Sequence, residues 1–294
     1  MKKIAFEDIS IFLVKYTFKY RGKIAGLSKK SRFFEYLIDK TLFEDDEIYI
    51  IPNDNYIKEA NNSKSKKITV NQKVSETENI TIPTDILKNV IKEAEDIVIM
   101  NKCLCRVSSD CKNYPHDLGC IFIGKATKKI SRKHCREATV KEALEHIDKC
   151  DQAGLTHLIG RNKIDSVWMN VKPKEDLLTI CHCCPCCCLW KVIPNLTDNI
   201  HSKVQKLPGV QININPSKCV LCGKCLDICF TDAIKKIDNC IVIDENLCKG
   251  CGRCQSICKT DAISLDYTDE SIDTVLNQID SLVDYKKSGK LINN

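Results

Sequence analysis

The chain has 294 residues, of which 43% are hydrophobic and 29% are charged. This composition is globular and excludes a disordered chain. The 21 cysteines are unusual, because such a content is typical of disulfide scaffolds, zinc proteins or iron–sulfur proteins. The formal net charge is +6, and residues 101–200 carry most of the excess, with 16 basic and 11 acidic side chains. No basic run with interleaved aromatic residues is present, so we expect no nucleic-acid partner.

The start of the chain and its hydropathy decide how the cysteines are interpreted. Glu7 and Asp8 interrupt the first apolar stretch, so the sequence predicts no signal peptide. No run of roughly 18 or more apolar residues occurs, so it predicts no membrane span. We therefore expect a cytoplasmic protein whose thiols stay reduced and hold metal, rather than a disulfide scaffold.

Residues 1–96 contain no cysteine and are expected to form an α/β region of unknown role. Residues 47–51 predict a short buried strand, because a β-branched apolar run there ends in Pro-Asn-Asp. Residues 61–72 are polar and predict a surface loop or hairpin. Residues 83–97 place apolar side chains at helical spacing, which predicts an amphipathic helix.

Residues 97–200 are expected to form a cysteine-rich, metal-binding module with twelve cysteines. One helix in it is clear from the sequence, since Thr139 and Glu142 form a capping box and Gly154 ends the apolar periodicity. Cys150 falls on the face of this helix that we expect to be buried.

Ten of the central cysteines fall into two groups, residues 103–120 and residues 181–188. Adjacent side chains of an extended segment point to opposite faces, so the second group could supply two sites. Pro185 disfavours a regular helix through this run. We predict one or two further iron–sulfur clusters here; a zinc site or a redox-active vicinal disulfide is the alternative. The predicted metal ligands are Cys103, Cys105, Cys111, Cys120, Cys181, Cys183, Cys184, Cys186, Cys187 and Cys188.

Two non-cysteine side chains beside these thiols are candidate cofactor-binding residues. Arg106 follows Cys105 and could donate a hydrogen bond to a cluster sulfide or another anion. His182 lies inside the second cysteine run and could bind iron or donate a proton.

The strongest signal is a repeat of residues 219–234 in residues 248–263. Both copies read C-x₂-C-x₂-C-x₃-C followed by Thr-Asp-Ala-Ile. This pattern resembles the bacterial-type ferredoxin domain, which holds two [4Fe–4S] clusters and in which the fourth cysteine of each run ligates the other cluster. The family usually has proline after that cysteine, whereas this chain has Phe230 and Lys259. The resemblance implies one cluster on Cys219, Cys222, Cys225 and Cys258, and another on Cys248, Cys251, Cys254 and Cys229.

The chain also resembles, over residues of about 97–265, a group of 4Fe–4S ferredoxin-domain proteins from strict anaerobes and methanogenic archaea. That group joins the same cysteine-rich module to a C-terminal two-cluster ferredoxin, which implies iron–sulfur redox work without naming a substrate. The strings that carry the resemblance are Cys103-x-Cys105-Arg106 and residues 113–115, 118–124, 142–146, 153–165 and 180–190.

These observations predict an α+β protein with a cysteine-rich mixed central module, followed by a ferredoxin-like 2[4Fe–4S] domain at residues 201–267. Residues 268–294 are expected to add a C-terminal helix that packs on the repeat. The predicted function is electron transfer between the two modules and to a redox partner protein. The alternatives are a reductase with an open catalytic cluster at residues 181–188, and a protein that delivers iron–sulfur clusters or sulfur. The oligomeric state stays open.

Overall fold

A computed structural model describes residues 6–56, 83–267 and 270–286. Helices and mixed sheets make it an α+β fold, as predicted. The loop predicted at residues 61–72 lies outside the described residues. No helix in the described part of the chain combines the length and the apolarity needed to cross a membrane.

A seven-stranded sheet organises the chain as far as residue 206. Its strands are β1 (Glu47–Ile51), β2 (Ile97–Met100), β3 (Ile121–Ile123), β4 (Cys135–Glu137), β5 (Thr156–Arg161), β6 (Leu178–Cys183) and β7 (Val204–Lys206). They lie in the order β4-β2-β3-β6-β5-β1-β7, and every neighbouring pair is antiparallel except β1 and β7. The strand predicted at residues 47–51 is confirmed as β1. It joins the same sheet as the strands of the central segment.

The helices are α1 (Phe6–Thr17), α2 (Arg21–Leu27), α3 (Arg32–Ile38), α4 (Thr84–Glu93), α5 (Leu104–Ser108), α6 (Val140–Gln152), α7 (Lys163–Trp168), α8 (Asp198–His201), α9 (Lys224–Ile228), α10 (Arg253–Ser256) and α11 (Glu270–Leu282). Strand alternation sends side chains to two cores. Tyr49 and Ile51 share one core with α4, α6 and α11, whereas Ile48 and Ile50 share the other with α1 to α3 and the 3₁₀ segment Leu189–Asn195.

Two helices predicted from the sequence are confirmed. The amphipathic pattern of residues 83–97 forms α4, which buries Ile86, Leu87, Val90 and Ile91. The capping box forms as predicted at α6, where the Thr139 hydroxyl accepts from the Glu142 backbone and Glu142 accepts from the Thr139 backbone. Cys150 lies on the buried face of α6 and is fully enclosed.

The C-terminal repeat forms two small antiparallel sheets around α9 and α10. Its strands are β8 (Gln211–Ile214), β9 (Ile234–Ile237), β10 (Cys240–Ile243) and β11 (Ile263–Asp266). β8 pairs with β11, and β9 pairs with β10, so each half of the repeat pairs with the other half. Ile212, Ile263 and Leu265 join the core that contains Tyr49 and Ile51, which seats the repeat against the large sheet.

The C-terminal helix, which the sequence predicts to pack on the repeat, lies in a core that repeat residues and the large sheet share. α11 makes its main contacts with α4 and β5, and Ala94 pairs with Lys286 just beyond it. Val275 and Ile279 are fully buried in the core of the large sheet. The amphipathic pattern gave the helix but not the surface it covers, because α4 and β5 are distant in the sequence.

Candidate metal centres

The two cysteine motifs of the repeat are built around glycines with left-handed backbone. Gly223 and Gly252 have φ of +78° and +77°, and each is the residue before a short helix, α9 or α10. This conformation suits glycine because it has no Cβ. It turns the chain sharply between the second and third cysteine of each motif, so that three thiols converge.

The structure brings the first predicted ligand set around one small cavity, and Cys258 of the second motif lies beside the three leading cysteines of the first. The residues of this set that line the cavity are Cys219, Cys222, Cys225 and Cys258. Cys222 is exposed, and its neighbour Val220 is 66% exposed, so this centre lies at the protein surface.

The second predicted set surrounds Cys254, which is buried. Burial raises the pKa of the Cys254 thiol well above its usual value, and the charges of Cys251, Cys248 and Cys229 add to that effect. The four predicted ligands of this set are therefore neighbours in the fold, as a cluster with four thiolate ligands requires. The ε-ammonium of Lys249, which donates to two backbone carbonyls, is also buried here, and burial lowers its pKa to about 8.

In the central module, strand β6 sends its cysteines to two different places. Cys181 and Cys183 face a cavity under α5, where Sγ of Cys181 lies 3.4 Å from Sγ of Cys120. Cys184 follows on the wall of the same cavity, but its thiol joins a second group of cysteines. The run at residues 181–188 therefore supplies thiols to two places.

The first place is a cavity with six thiols, which we call the six-thiol cavity. A [4Fe–4S] cluster takes four cysteines, so this group has two more thiols than one such cluster uses. The chain brings them from the start of α5, the start of β3, β6 and the segment after it. They are Cys103, Cys105, Cys120, Cys181, Cys183 and Cys188; a seventh cysteine on the wall, Cys184, is counted with the second group, which its thiol joins.

The second place is a four-thiol group in which Cys111 meets three cysteines of the run after β6. Their sulfur atoms all lie within 4.8 Å of one another. Sγ of Cys186 is 3.6 Å from that of Cys111, 3.7 Å from that of Cys184 and 3.5 Å from that of Cys187. The ten central cysteines predicted as ligands thus divide into six and four.

Arg106 lies between the two central groups and is fully buried. Its Nη1 donates to the carbonyl of His182 at 2.9 Å, and its Nη2 donates to the carbonyl of Leu118, while its Nε has no partner among the described residues. Burial works to lower the pKa of this guanidinium, but the sulfurs around it, first that of Cys103, raise it overall. A buried cation with an unused donor fits an anionic iron–sulfur cluster.

Arg253 links the repeat to the six-thiol cavity. It lies between Cys251 and Cys254 in sequence, is 2% exposed, and donates from Nη2 to the carbonyl of Cys183. Its guanidinium lies 5.0 Å from the ring centre of Phe230, the residue that replaces the usual proline. Its Nε and Nη1 have no partner among the described residues. Arg253 thus belongs to the second ferredoxin motif and also contacts β6, the strand that bears two of the cavity thiols.

Asp165 lies on the wall of the six-thiol cavity and is not among the predicted site residues. It is 6% exposed and accepts a hydrogen bond from Asn162 Nδ2 at 2.9 Å. Burial raises the pKa of its carboxyl to about 7. The polar string His157, Arg161, Asn162 and Asp165 is a weak signal in the sequence that is typical of a structural turn, because α7 reaches the cavity only through the fold.

The ring of His182 lies in a buried histidine network. His182 Nδ1 is 2.7 Å from Nδ1 of His157, whose Nε2 is 2.9 Å from Asp151 Oδ1. The ring of His146 lies 5.2 Å away, centre to centre. Burial, with smaller effects from His157 and His146, lowers the pKa of His182 well below its usual value, so the ring is neutral at pH 7. His157 and His146 were not among the predicted site residues.

Comparison with known protein families supports the C-terminal part of this description. A family model described as a 4Fe-4S binding domain matches residues 212–235 and residues 241–264. No curated protein and no solved structure matches the chain. The match confirms the two adjacent ferredoxin-type repeats predicted from the cysteine spacing. It supports [4Fe–4S] clusters in the C-terminal region, whereas the resemblance of the central residues stays a prediction.

Proposed function

We propose that this protein is an iron–sulfur electron-transfer protein that passes electrons between the two clusters of its C-terminal repeat and one or two clusters in its central module. When bound, such clusters accept and release single electrons. Arg253 is the observation that carries the proposal, because it contacts Cys183 of the central module from within the second ferredoxin motif.

The depths of the two ferredoxin-type centres indicate the path that electrons would take. The set that includes Cys222 lies at the surface, and exposed Val220 beside it offers an apolar contact for a redox partner protein. The set that includes Cys254 lies deeper and adjoins Arg253. Electrons would pass between the redox partner and the surface set, and then through the deeper set to or from the six-thiol cavity.

Metal analysis tests the number of centres. Iron and acid-labile sulfide are measured on anaerobically purified full-length protein, with EPR of the reduced sample. About eight irons per chain correspond to two [4Fe–4S] clusters, about twelve to three and about sixteen to four. We expect at least about twelve; about eight would contradict a central cluster.

Reduction by two donors tests this path. A reduced ferredoxin is too large to enter the six-thiol cavity, whereas dithionite is a small ion. In the Cys222→Ser variant, we expect the protein donor to reduce the central centre much more slowly than in the parent chain, while dithionite reduces it in both. Equal reduction by the protein donor would show that electrons do not enter at the surface set. Cys240→Ser is the matched control, since Cys240 is exposed in the same repeat and belongs to neither set.

A reductase is the second candidate, and Asp165 is the observation that favours it. A carboxyl with a pKa of about 7 on the wall of the six-thiol cavity is suited to donate a proton at neutral pH. Cyanide distinguishes the two functions. A reductase with an open iron site predicts a changed EPR signal of the central centre on adding cyanide, and a fully ligated electron-transfer centre predicts none.

A further inference from the structure

Three buried side chains outside both central thiol groups form a separate cluster. His146, Cys150 and His182 each offer one ligand atom, and these atoms lie within 4.8 Å of one another. None of the three is more than 7% exposed. His182 also lies on the wall of the six-thiol cavity, but none of the three is a thiol of that cavity or of the four-thiol group.

Regular secondary structure sets the positions of all three. His146 and Cys150 are four residues apart on α6, so they lie on one face of the helix, one turn apart. His182 comes from β6, where its ring points away from the face that carries the thiols of Cys181 and Cys183. The site thus lies between a helix and a strand.

The second ring nitrogen of each histidine already has a partner. His146 Nε2 lies 2.8 Å from the carbonyl of Gly119, which leaves Nδ1 as the other ring nitrogen. His182 Nδ1 contacts His157, and His157 in turn contacts the carboxylate of Asp151. Metal-binding histidines usually have this arrangement, in which a carbonyl or carboxylate orients the ring through its far nitrogen.

His182 Nε2 is the observation that points to a ligand. It is buried and has no hydrogen-bond partner among the described residues, although buried polar atoms are nearly always paired. Its ring lies against that of His146. A metal ion would satisfy this nitrogen, which no protein group in residues 6–56, 83–267 and 270–286 does.

We propose that His146, Cys150 and His182 bind one divalent transition-metal ion of the zinc class, at a site separate from the iron–sulfur centres. Imidazole and thiolate are both ligand types that zinc binds, and three protein ligands are common at zinc sites. On binding, the Cys150 thiol loses its proton to solvent as the metal–sulfur bond forms. Asp151, acting through His157, puts a negative charge behind the site and offsets the nearby charge of Arg106.

Cobalt(II) is the probe, because a thiolate bound to cobalt gives a ligand-to-metal charge-transfer band that histidine and water ligands do not. Full-length protein is purified anaerobically, loaded with iron and sulfide until its iron content is constant, and titrated with Co²⁺. We expect one further equivalent of cobalt with the charge-transfer band, and its displacement by Zn²⁺.

Variants assign the band to this site. Cys150→Ala is expected to abolish the charge-transfer band while iron content stays unchanged. His157→Phe is expected to weaken cobalt affinity about 10- to 100-fold, because it removes the group that orients His182. Cys135→Ala and His201→Gln are the matched controls, since both residues are buried and lie outside the site, and both variants should bind cobalt like the parent chain.

Two results would overturn the proposal. One is a parent chain that binds no cobalt or zinc beyond its iron, which would make the three side chains ordinary core residues. The other is a Cys150→Ala variant that keeps the band, which would place the ion elsewhere. His146→Gln retains a hydrogen-bonding side chain of similar length and provides a second test if Cys150→Ala does not fold. Loss of iron would concern the clusters, whereas loss of cobalt alone concerns this site.

Discussion

Two buried arginines compensate the negative charge that iron–sulfur centres would bring into this protein. Arg106 and Arg253 are both nearly inaccessible to solvent, and each keeps at least one N–H without a partner among the described residues. A buried charge without compensation is strongly unfavourable. Arginine suits this role because its planar group stays protonated and can bind a backbone carbonyl and a cluster sulfide together.

Arg253→Met is predicted to lower the reduction potential of the nearest centre, on the order of 60 mV, which for one electron is a tenfold change in equilibrium. The reason is that a nearby cation favours the more negative reduced cluster. Potentiometric titration followed by EPR measures the shift. Arg253→Lys keeps the charge and should keep most of the potential; an equal shift in both variants would assign the effect to the lost contact with Cys183.

Asp165→Asn is predicted to change the pH dependence of stability. Burial raises the folded-state pKa of this carboxyl from 3.8 to about 7. The ionised form is therefore disfavoured in the fold, and the parent chain loses stability as pH rises from about 4 to about 7. The asparagine side chain cannot ionise, and its carbonyl can still accept from Asn162.

Anaerobic thermal unfolding of both proteins between about pH 5 and pH 8 provides the measurement. The variant should gain stability relative to the parent chain across this range, by about 3 kcal/mol at most. A constant difference between the two proteins would mean that Asp165 keeps an ordinary pKa.

At the scale of elements, the two halves of the repeat carry the same turn in different surroundings. An added Cβ at Gly223 would have no atom within 4 Å, whereas at Gly252 it would lie 3.0 Å from Leu265 and 3.1 Å from Tyr56. The two glycines have nearly identical φ. Alanine substitutions at the two glycines can therefore distinguish the free-energy cost of the left-handed backbone from the additional cost of steric contact around the new Cβ.

We predict that Gly223→Ala loses about 1–2 kcal/mol of stability from backbone conformation alone. Gly252→Ala should lose more, because Leu265 or Tyr56 must also move. Thermal unfolding and iron retention of the two variants, measured side by side, check the order. Equal losses would show that the contacts around Gly252 adjust without cost.

The elements show which features the sequence can predict. Some elements can be predicted from the spacing of their own residues alone. These are the strand β1, the helices α4 and α6, and the repeat. The division of the central thiols cannot be predicted in this way, because Cys111 meets Cys184 only after β2, β3 and β6 have paired. The spacing of His146 and Cys150 on one helix is a local feature, but the third side chain of the site we propose, His182, comes from another element. The contact between Arg253 and Cys183 could not be predicted from the sequence, because the two residues are 70 positions apart.

At the scale of the whole molecule, the distribution of charge agrees with the proposed centres. Residues 101–200 carry an excess of five basic side chains over acidic ones, and these residues supply both central thiol groups. A [4Fe–4S] centre with four thiolates adds negative charge that the amino-acid count omits. The basic excess, with Arg106 buried between the two groups, is expected if that charge is present.

The depth of the centres predicts the order in which air destroys them. Oxygen reaches an iron–sulfur cluster through solvent, and Cys222 is the exposed cysteine among the predicted ligands in the described part of the chain. Cys254 of the deeper set is buried, as are Cys103 and Cys188 of the six-thiol cavity. We predict that the surface centre is lost first and the central centre last.

Timed exposure to air, followed by reduction and EPR, measures this order. The Cys222→Ser variant identifies the signal of the surface centre by its absence, and a Cys183→Ser variant identifies the central signal in the same way. Iron release should then show a fast phase in the parent chain that is missing in Cys222→Ser. Loss of the central signal before the surface signal would mean that oxygen enters the six-thiol cavity directly, and that result would favour the reductase over the electron-transfer protein.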